Sequence, residues 1–124
     1  MNASDTHSHY SVLLTKLSKC TSACAYQTVD ELVSTGLVLA NFYGERQQSL
    51  LQELFLRRLF FDLLGKVCDP LVGSVVQRIC LDFTYQPLFA LKRFYRTYHG
   101  KLEAYYKLER ELRILSNEFL ACKR

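Results

Sequence analysis

The chain has 124 residues, which suits one domain with a single core and is marginal for two. Its residues are 49% hydrophobic and 13% aromatic, which excludes a disordered chain because disordered segments are poor in these residue types. The net charge of +4 is too small to indicate a typical nucleic-acid-binding domain, which concentrates far more positive charge on one face. Because a small domain has little interior, we expect part of this apolar content to stay exposed and to favour association.

The cysteines and the N-terminus bear on the cellular compartment. Five cysteines are scattered along the chain, whereas a secreted disulfide framework usually pairs an even number. Met1 to His9 is polar and lacks the apolar region of a secretory signal. We therefore expect reduced thiols and an intracellular location, either cytoplasmic or nuclear. Arg57, Arg58 and Asp62 interrupt the longest apolar stretches, so no membrane span of about 20 apolar residues is predicted.

The predicted organisation is a flexible polar tail at residues 1–8, followed by one helical domain at residues 9–124. Apolar residues at helical spacing predict a first helix over Tyr10 to Ala25.

A second helix is predicted to begin at Thr28. Thr28 and Glu31 have the spacing of a capping box, in which the two side chains satisfy free backbone N–H groups. Gly36 lies inside this helix, where it costs about 1 kcal/mol relative to Ala and therefore suggests a close helix crossing. Gly44 is placed to end the helix as a left-handed cap.

The segment from Glu45 to Leu64 is apolar nearly all round, which is typical of a helix surrounded by protein. We predict that it is the central helix. Asp69 is expected to cap a fourth helix with Pro70 at its first position, and Pro87 is expected to begin the last helix in the same way.

The most regular pattern in the sequence is an apolar stripe near the C-terminus. In alternating steps of three and four residues, nine of ten positions are apolar or aromatic: Leu91, Phe94, Tyr98, Lys101, Tyr105, Leu108, Leu112, Leu115, Phe119 and Cys122. Such a repeat keeps one side of a helix against a neighbour over many turns. It predicts one long amphipathic, coiled-coil-like helix over residues 87–122, whose outer half projects from about Tyr105. The alternative is a stripe that packs wholly on its own domain, with a break at Gly100.

The predicted fold class is therefore all-α, with about five helices in a bundle, no sheet, and a long C-terminal helix.

The sequence predicts no catalytic site and no metal site. His7, His9, Cys20 and Cys24 match no tight zinc-ligand spacing, so they indicate a polar tail and ordinary helix thiols. The sequence has no Gly-rich phosphate loop and no strand-turn-helix elbow that would present a nucleophile. We expect no enzyme activity, no metal and no cofactor.

A basic and aromatic run lies within the C-terminal stripe. Lys92, Arg93 and Arg96 alternate with Phe94 and Tyr95, and such residues can contact phosphates and stack on bases. They are equally compatible with the solvated side of an amphipathic helix. A nucleic-acid-binding module is therefore the alternative function, and nucleic acid is not the favoured partner.

The favoured function is a scaffold or adaptor subunit that assembles into a multiprotein complex through helix packing. The predicted partner-binding residues lie on the C-terminal stripe: Tyr98, Tyr105, Leu108, Leu112, Leu115 and Phe119. Large aromatic residues suit irregular bundle packing better than a simple two-stranded zipper, so a hetero-complex is favoured over, or alongside, a homo-oligomer.

Overall fold

The computed structural model describes residues 3–98 and 102–121, and these residues form five helices. The helices are α1 (Ala3–Ser18), α2 (Ser22–Glu45), α3 (Ser49–Val67), α4 (Ser74–Thr97) and α5 (Leu102–Ala121). The described ranges contain no strand, which confirms the predicted all-α class.

The helices pack as a bundle around one core. Helices α2, α3 and α4 contact one another, α1 packs on α2, and α5 packs on α4 and α3. The connections between α1 and α2 and between α2 and α3 are only a few residues long, which favours packing of consecutive helices side by side. The core is formed by buried Leu, Val, Phe and Tyr side chains contributed by all five helices.

Helix α1 begins earlier than the sequence predicted, because residues 3–8 are helical rather than a flexible tail. Asp5 lies in the first turn, where the helix dipole favours negative charge, and Thr6 is buried. His7 Nε2 lies 3.1 Å from the Tyr43 hydroxyl, and the His7 ring centroid lies 4.9 Å from that of Phe55. These contacts with α2 and α3 give the polar N-terminal turn a packing role.

The predicted first helix is divided in two. Helix α1 ends at Ser18, and α2 begins at Ser22 after Thr21, whose backbone is extended. Thr28 therefore lies inside α2, where its hydroxyl donates a 2.9 Å hydrogen bond to the Cys24 carbonyl. The capping box predicted from Thr28 is wrong, because the same hydroxyl can bond to the carbonyl four residues earlier once the helix has already begun.

The predictions for the two glycines of α2, Gly36 and Gly44, have different outcomes. A Cβ at Gly36 would lie 2.9 Å from Leu59 Cδ2 of α3, which confirms the predicted close crossing of two helices. Gly44 does not end the helix as a left-handed cap, because α2 continues to Glu45. The positive φ of 58° is adopted instead by Gln47, in the connection to α3.

The connection between α3 and α4 also differs from prediction. Asp69 Oδ1 accepts a 2.9 Å hydrogen bond from the Leu71 N–H, which forms a local turn, and Gly73 is the residue that precedes α4. Pro87 lies buried inside α4 and does not begin a helix. Asp and Pro serve turns and first helical turns alike, and here the next helix starts several residues after both Asp69 and Pro70.

The C-terminal region is not one continuous helix. Helix α4 ends at Thr97, and Tyr98 has extended backbone angles of φ −107° and ψ 112°. Helix α5 begins at Leu102, and Gly100, the expected position of a break, lies outside the described residues. The prediction of a single helix over residues 87–122 is therefore corrected. A periodic stripe shows which side of a helix packs, and two separate helices that face one core produce the same stripe.

Candidate interaction surface

The sequence-predicted partner residues on α5 lie mainly inside the domain. Tyr105, Leu108 and Leu112 are only 4%, 3% and 2% exposed, because they pack α5 on the core. Leu115 is half-buried against the same core. In this arrangement their apolar surface is already used within the domain, so a partner would have to displace α5 to reach it.

Two further predicted partner residues have other positions. Tyr98 is exposed at the end of α4, and its ring centroid lies 4.6 Å from that of Phe94. Phe119 belongs to α5, and its side chain lies outside the described part of the structure.

Two of the three basic residues considered for nucleic-acid contact, Lys92 and Arg96, lie near the same residue of α5. Lys92 Nζ lies 5.3 Å from the centroid of the Tyr105 ring and therefore interacts with α5. Arg93 lines a cavity of about 340 Å³ on the other side of α4, next to α2 and α3. Arg96 is exposed. Arg96 acts on the same tyrosine as Lys92, because its positive charge opposes the rise in the pKa of Tyr105. Contact of these residues with nucleic acid stays a prediction.

An exposed apolar surface remains on the outer face of α3, which we define as Leu50, Leu51, Leu54 and Phe61. Leu50 is 79% exposed, Leu54 is 55% exposed, and Leu51 and Phe61 are each 37% exposed. Leu50, Leu54 and Phe61 are separated by four and seven residues, which places them on one side of a helix. They form a stripe along α3.

The opposite side of α3 packs on the core. Its buried residues are Leu56, Leu59, Phe60, Leu63, Leu64 and Val67. The helix is therefore apolar on two opposite sides, and the domain covers only one of them. The sequence carries this signal, because residues 45–64 are apolar nearly all round. The prediction that protein surrounds this helix is wrong for its outer face, which the domain leaves exposed.

Positive charge lies within the outer face of α3. The Arg57 guanidinium carbon lies 5.6 Å from the centroid of the Phe61 ring. Arg58 Nε lies 3.7 Å from Asp62 Oδ2, and the Arg58 guanidinium also lies 5.0 Å from the centroid of the Tyr10 ring in α1. Both cations lie on aromatic rings, so their charge is held at the helix surface between the apolar positions.

A groove between α3 and α5 borders this face. It has a volume of about 440 Å³ and is lined by Arg57, Phe61, Glu103, Ala104, Lys107, Leu108 and Glu111. Phe61 and Arg57 thus belong both to the stripe and to the groove. The combined surface has an apolar floor with charged groups of both signs at its edge, as protein interfaces commonly do.

Two buried tyrosines fix α3 in place. The Tyr10 hydroxyl donates a 2.6 Å hydrogen bond to Asp62, and the Tyr95 hydroxyl of α4 donates one of the same length to Glu53. Burial raises the pKa of Tyr95 to about 12, and its hydrogen bond to Glu53 acts in the same direction. Burial and the bond to Asp62 likewise raise the pKa of Tyr10. Both phenols therefore stay protonated donors, and the position of α3 is set from both sides.

The described ranges contain no group of three or more His, Cys, Asp or Glu side chains that could hold a metal ion. None of the helices described combines the length and the hydropathy needed to cross a membrane.

Comparison with known proteins returned no family model, no curated relative and no solved structure that matches this chain. The function is therefore argued from the residues.

Proposed function

We propose that this protein is a non-enzymatic interaction module, a scaffold or adaptor subunit that binds a helix of another protein on the outer face of α3. The observation that carries the proposal is the second apolar side of α3, which the domain leaves exposed. Monomeric proteins rarely expose contiguous apolar stripes on a helix unless a partner covers them.

Apolar burial is the main energy that this face can supply. Full burial of one Leu side chain is worth about 2 kcal/mol, and Leu50 and Leu54 still expose more than half of their surface, whereas Leu51 and Phe61 each have only 37% left to bury. A few central apolar residues usually supply most of the energy of an interface. Leu50 and Leu54 are the most exposed of the four and are expected to contribute most.

The charges on the face favour a different protein over a second copy. Arg57 lies between Leu54 and Phe61 along the stripe. In a two-fold symmetric dimer each surface meets itself, so the arginines of both copies would come together near the centre. A partner helix with a carboxylate between two apolar positions would instead pair with Arg57. This supports the hetero-complex that the sequence analysis favoured.

This proposal keeps the function predicted from the sequence and moves the contact from α5 to α3. The C-terminal stripe then has an indirect role, because Tyr105, Leu108 and Leu112 hold α5 beside the groove that borders the outer face of α3.

The test compares two charge-introducing variants of the tagged full-length chain in cells that naturally make it. Leu50→Glu with Leu54→Glu alters the outer face of α3, whereas Leu71→Glu alters a residue that is 93% exposed in the connection to α4. Complexes are purified and weighed by native mass spectrometry. We expect the α3 double variant to lose its partner protein, and the Leu71 variant to retain it, with the same helicity in both.

Retention of the same partner by the α3 double variant would contradict the proposal, as would a parent chain that is recovered only as a monomer. If the protein binds nucleic acid instead of another protein, the complex will dissociate when salt is added. Phosphate contacts weaken steeply as the salt concentration rises, whereas apolar packing does not.

A further inference from the structure

The connection between α1 and α2 brings two cysteines together. Cys20 lies in the connection, and Cys24 lies in the first turn of α2, which begins at Ser22. Their sulfur atoms are in contact, and their Cα atoms are 6.3 Å apart. Disulfides bridge Cα separations of about 4.4 to 6.8 Å, so the backbone already has the spacing that a bond between them requires.

The two cysteines are partly accessible from solvent. Both residues are half-buried, and Thr21 and Ala23 between them are exposed. Cys20 packs partly against the core, so the open approach to the pair is on the side of Thr21 and Ala23. Accessible disulfides are the ones that exchange readily.

Cys24 is the better placed of the two to react first with a molecule from solvent. Cys20 packs partly against the core, whereas Cys24 lies at the start of α2 next to the exposed Ala23. The neighbouring Cys20 sulfur is then placed to complete the exchange.

The other described cysteines, Cys68 and Cys80, are less suited to thiol exchange. Cys80 is fully buried, and burial raises the pKa of its thiol to about 12. Burial also raises the pKa of Cys68, with Glu118 and Glu111 adding to the effect. Thiolates are the reactive form, so both cysteines are disfavoured as sites of exchange.

We propose that Cys20 and Cys24 are a reversible dithiol–disulfide pair that exchanges with low-molecular-weight thiols of the glutathione class. In the first step the Cys24 thiolate attacks one sulfur of glutathione disulfide. The S–S bond of that molecule breaks, one glutathione leaves as a thiolate that takes up the proton lost by Cys24, and a mixed disulfide remains on Cys24. In the second step Cys20 attacks the Cys24 sulfur, and the second glutathione leaves with the proton of Cys20. Two protein thiols are oxidised, and one glutathione disulfide is reduced to two thiols.

The bond would tie the connection after α1 to the first turn of α2. Leu17, in the last turn of α1, is fully buried, and Thr28 of α2 has its hydroxyl 3.7 Å from the Cys20 sulfur. Closure of this short ring restricts the backbone of the connection that follows α1. The oxidised chain therefore holds this connection more firmly than the reduced chain.

The experiment equilibrates the full chain in buffers of reduced and oxidised glutathione, blocks free thiols with an alkylating reagent, and locates the blocked cysteines by peptide mass spectrometry. We expect Cys20 and Cys24 to lose reactivity together as the oxidised fraction rises, and the Cys68→Ser control to behave like the parent. In Cys20→Ser the reaction should stop at a glutathione adduct on Cys24. Alkylation of both cysteines in fully oxidised buffer, or a disulfide that joins two chains, would overturn the proposal.

The second measurement is amide hydrogen exchange in the last turn of α1 and the connection that follows. We expect exchange there to be slower in the oxidised chain, on the order of tenfold, and unchanged in the core of α3. In the Cys20→Ser, Cys24→Ser double variant the difference between the two buffers should vanish. Equal exchange rates in the oxidised and reduced parent would overturn the anchoring role of the bond.

Discussion

The Tyr10 hydroxyl donates a 2.6 Å hydrogen bond to Asp62, and this bond links α1 to α3 across the bundle. The same carboxylate lies 3.7 Å from Arg58 Nε, and the Arg58 guanidinium lies against the Tyr10 ring. Tyr10 itself is buried. The three side chains thus form a closed set in which a buried polar group, a carboxylate and a cation satisfy one another.

Tyr10→Phe tests that set. The substitution keeps the ring and removes the hydrogen bond, while Asp62 retains Arg58 and access to solvent. We expect a loss of about 1 kcal/mol in the free energy of unfolding, measured in urea. Tyr26→Phe is the matched control, because the Tyr26 side chain is 64% exposed and its change is expected to stay within about 0.5 kcal/mol. Equal effects of the two substitutions would show that the bond to Asp62 contributes nothing.

Buried tyrosines predict a loss of stability in alkaline solution. The pKa of Tyr95 is raised from 10.0 to about 12 in the folded chain, by burial and by its bond to Glu53. Well below pH 10 the phenol is protonated in both folded and unfolded chains, so this residue makes the free energy of unfolding no more dependent on pH. Between pH 10 and 12 the unfolded chain releases the proton and the folded chain keeps it, so stability falls, by up to about 2 kcal/mol for this residue.

The measurement is the free energy of unfolding over that pH range for the parent and for Tyr95→Phe. Tyr105, whose pKa burial also raises to about 12, contributes a decline that both proteins share. The variant should therefore show a shallower decline than the parent. Parallel pH profiles would contradict the assignment to Tyr95.

The helix crossing at Gly36 predicts opposite effects for two Gly→Ala substitutions. At Gly36 a new Cβ would lie 2.9 Å from the buried Leu59 side chain, so the packing cost outweighs the gain in helix propensity. We expect destabilisation of about 1 kcal/mol. At Gly65, inside α3, a Cβ meets nothing within 4 Å, so Ala should stabilise by about 0.5 to 1 kcal/mol. Thermal unfolding measures both, and a stabilised Gly36→Ala variant would show that α2 and α3 are not in close contact there.

The position of α5 makes Leu112 a core residue, and Leu112→Asp should therefore unfold the domain rather than only abolish association. Burial of an unpaired carboxylate in place of a fully buried Leu is expected to cost about 4 kcal/mol or more. Ile114→Asp, on a 54% exposed side chain of the same helix, is the control and should leave the fold intact. Circular dichroism and the melting temperature distinguish the outcomes. If the Leu112→Asp chain is instead folded and has lost a partner, the result will support the projecting helix predicted from the sequence.

The sequence by itself determined the fold class, the approximate number of helices and the apolar side of each amphipathic helix. These follow from local chemistry, since the spacing of apolar residues fixes which side of a helix avoids water whatever lies opposite. Gly36 shows how far this goes, because a glycine inside a helix predicted a close neighbour before that neighbour was known to be Leu59 of α3.

Only the tertiary structure decided where each helix ends and which partner each face meets. Three residues have side chains that suit a helix start but lie elsewhere in the structure. Thr28 and Pro87 are inside helices, and Asp69 accepts a hydrogen bond in a turn. The C-terminal stripe could not reveal that the chain leaves the helix at Tyr98, because periodicity is unchanged when a helix breaks and both parts return to one core. For the same reason the exposed stripe of α3 became visible only after the other four helices had taken their places around it.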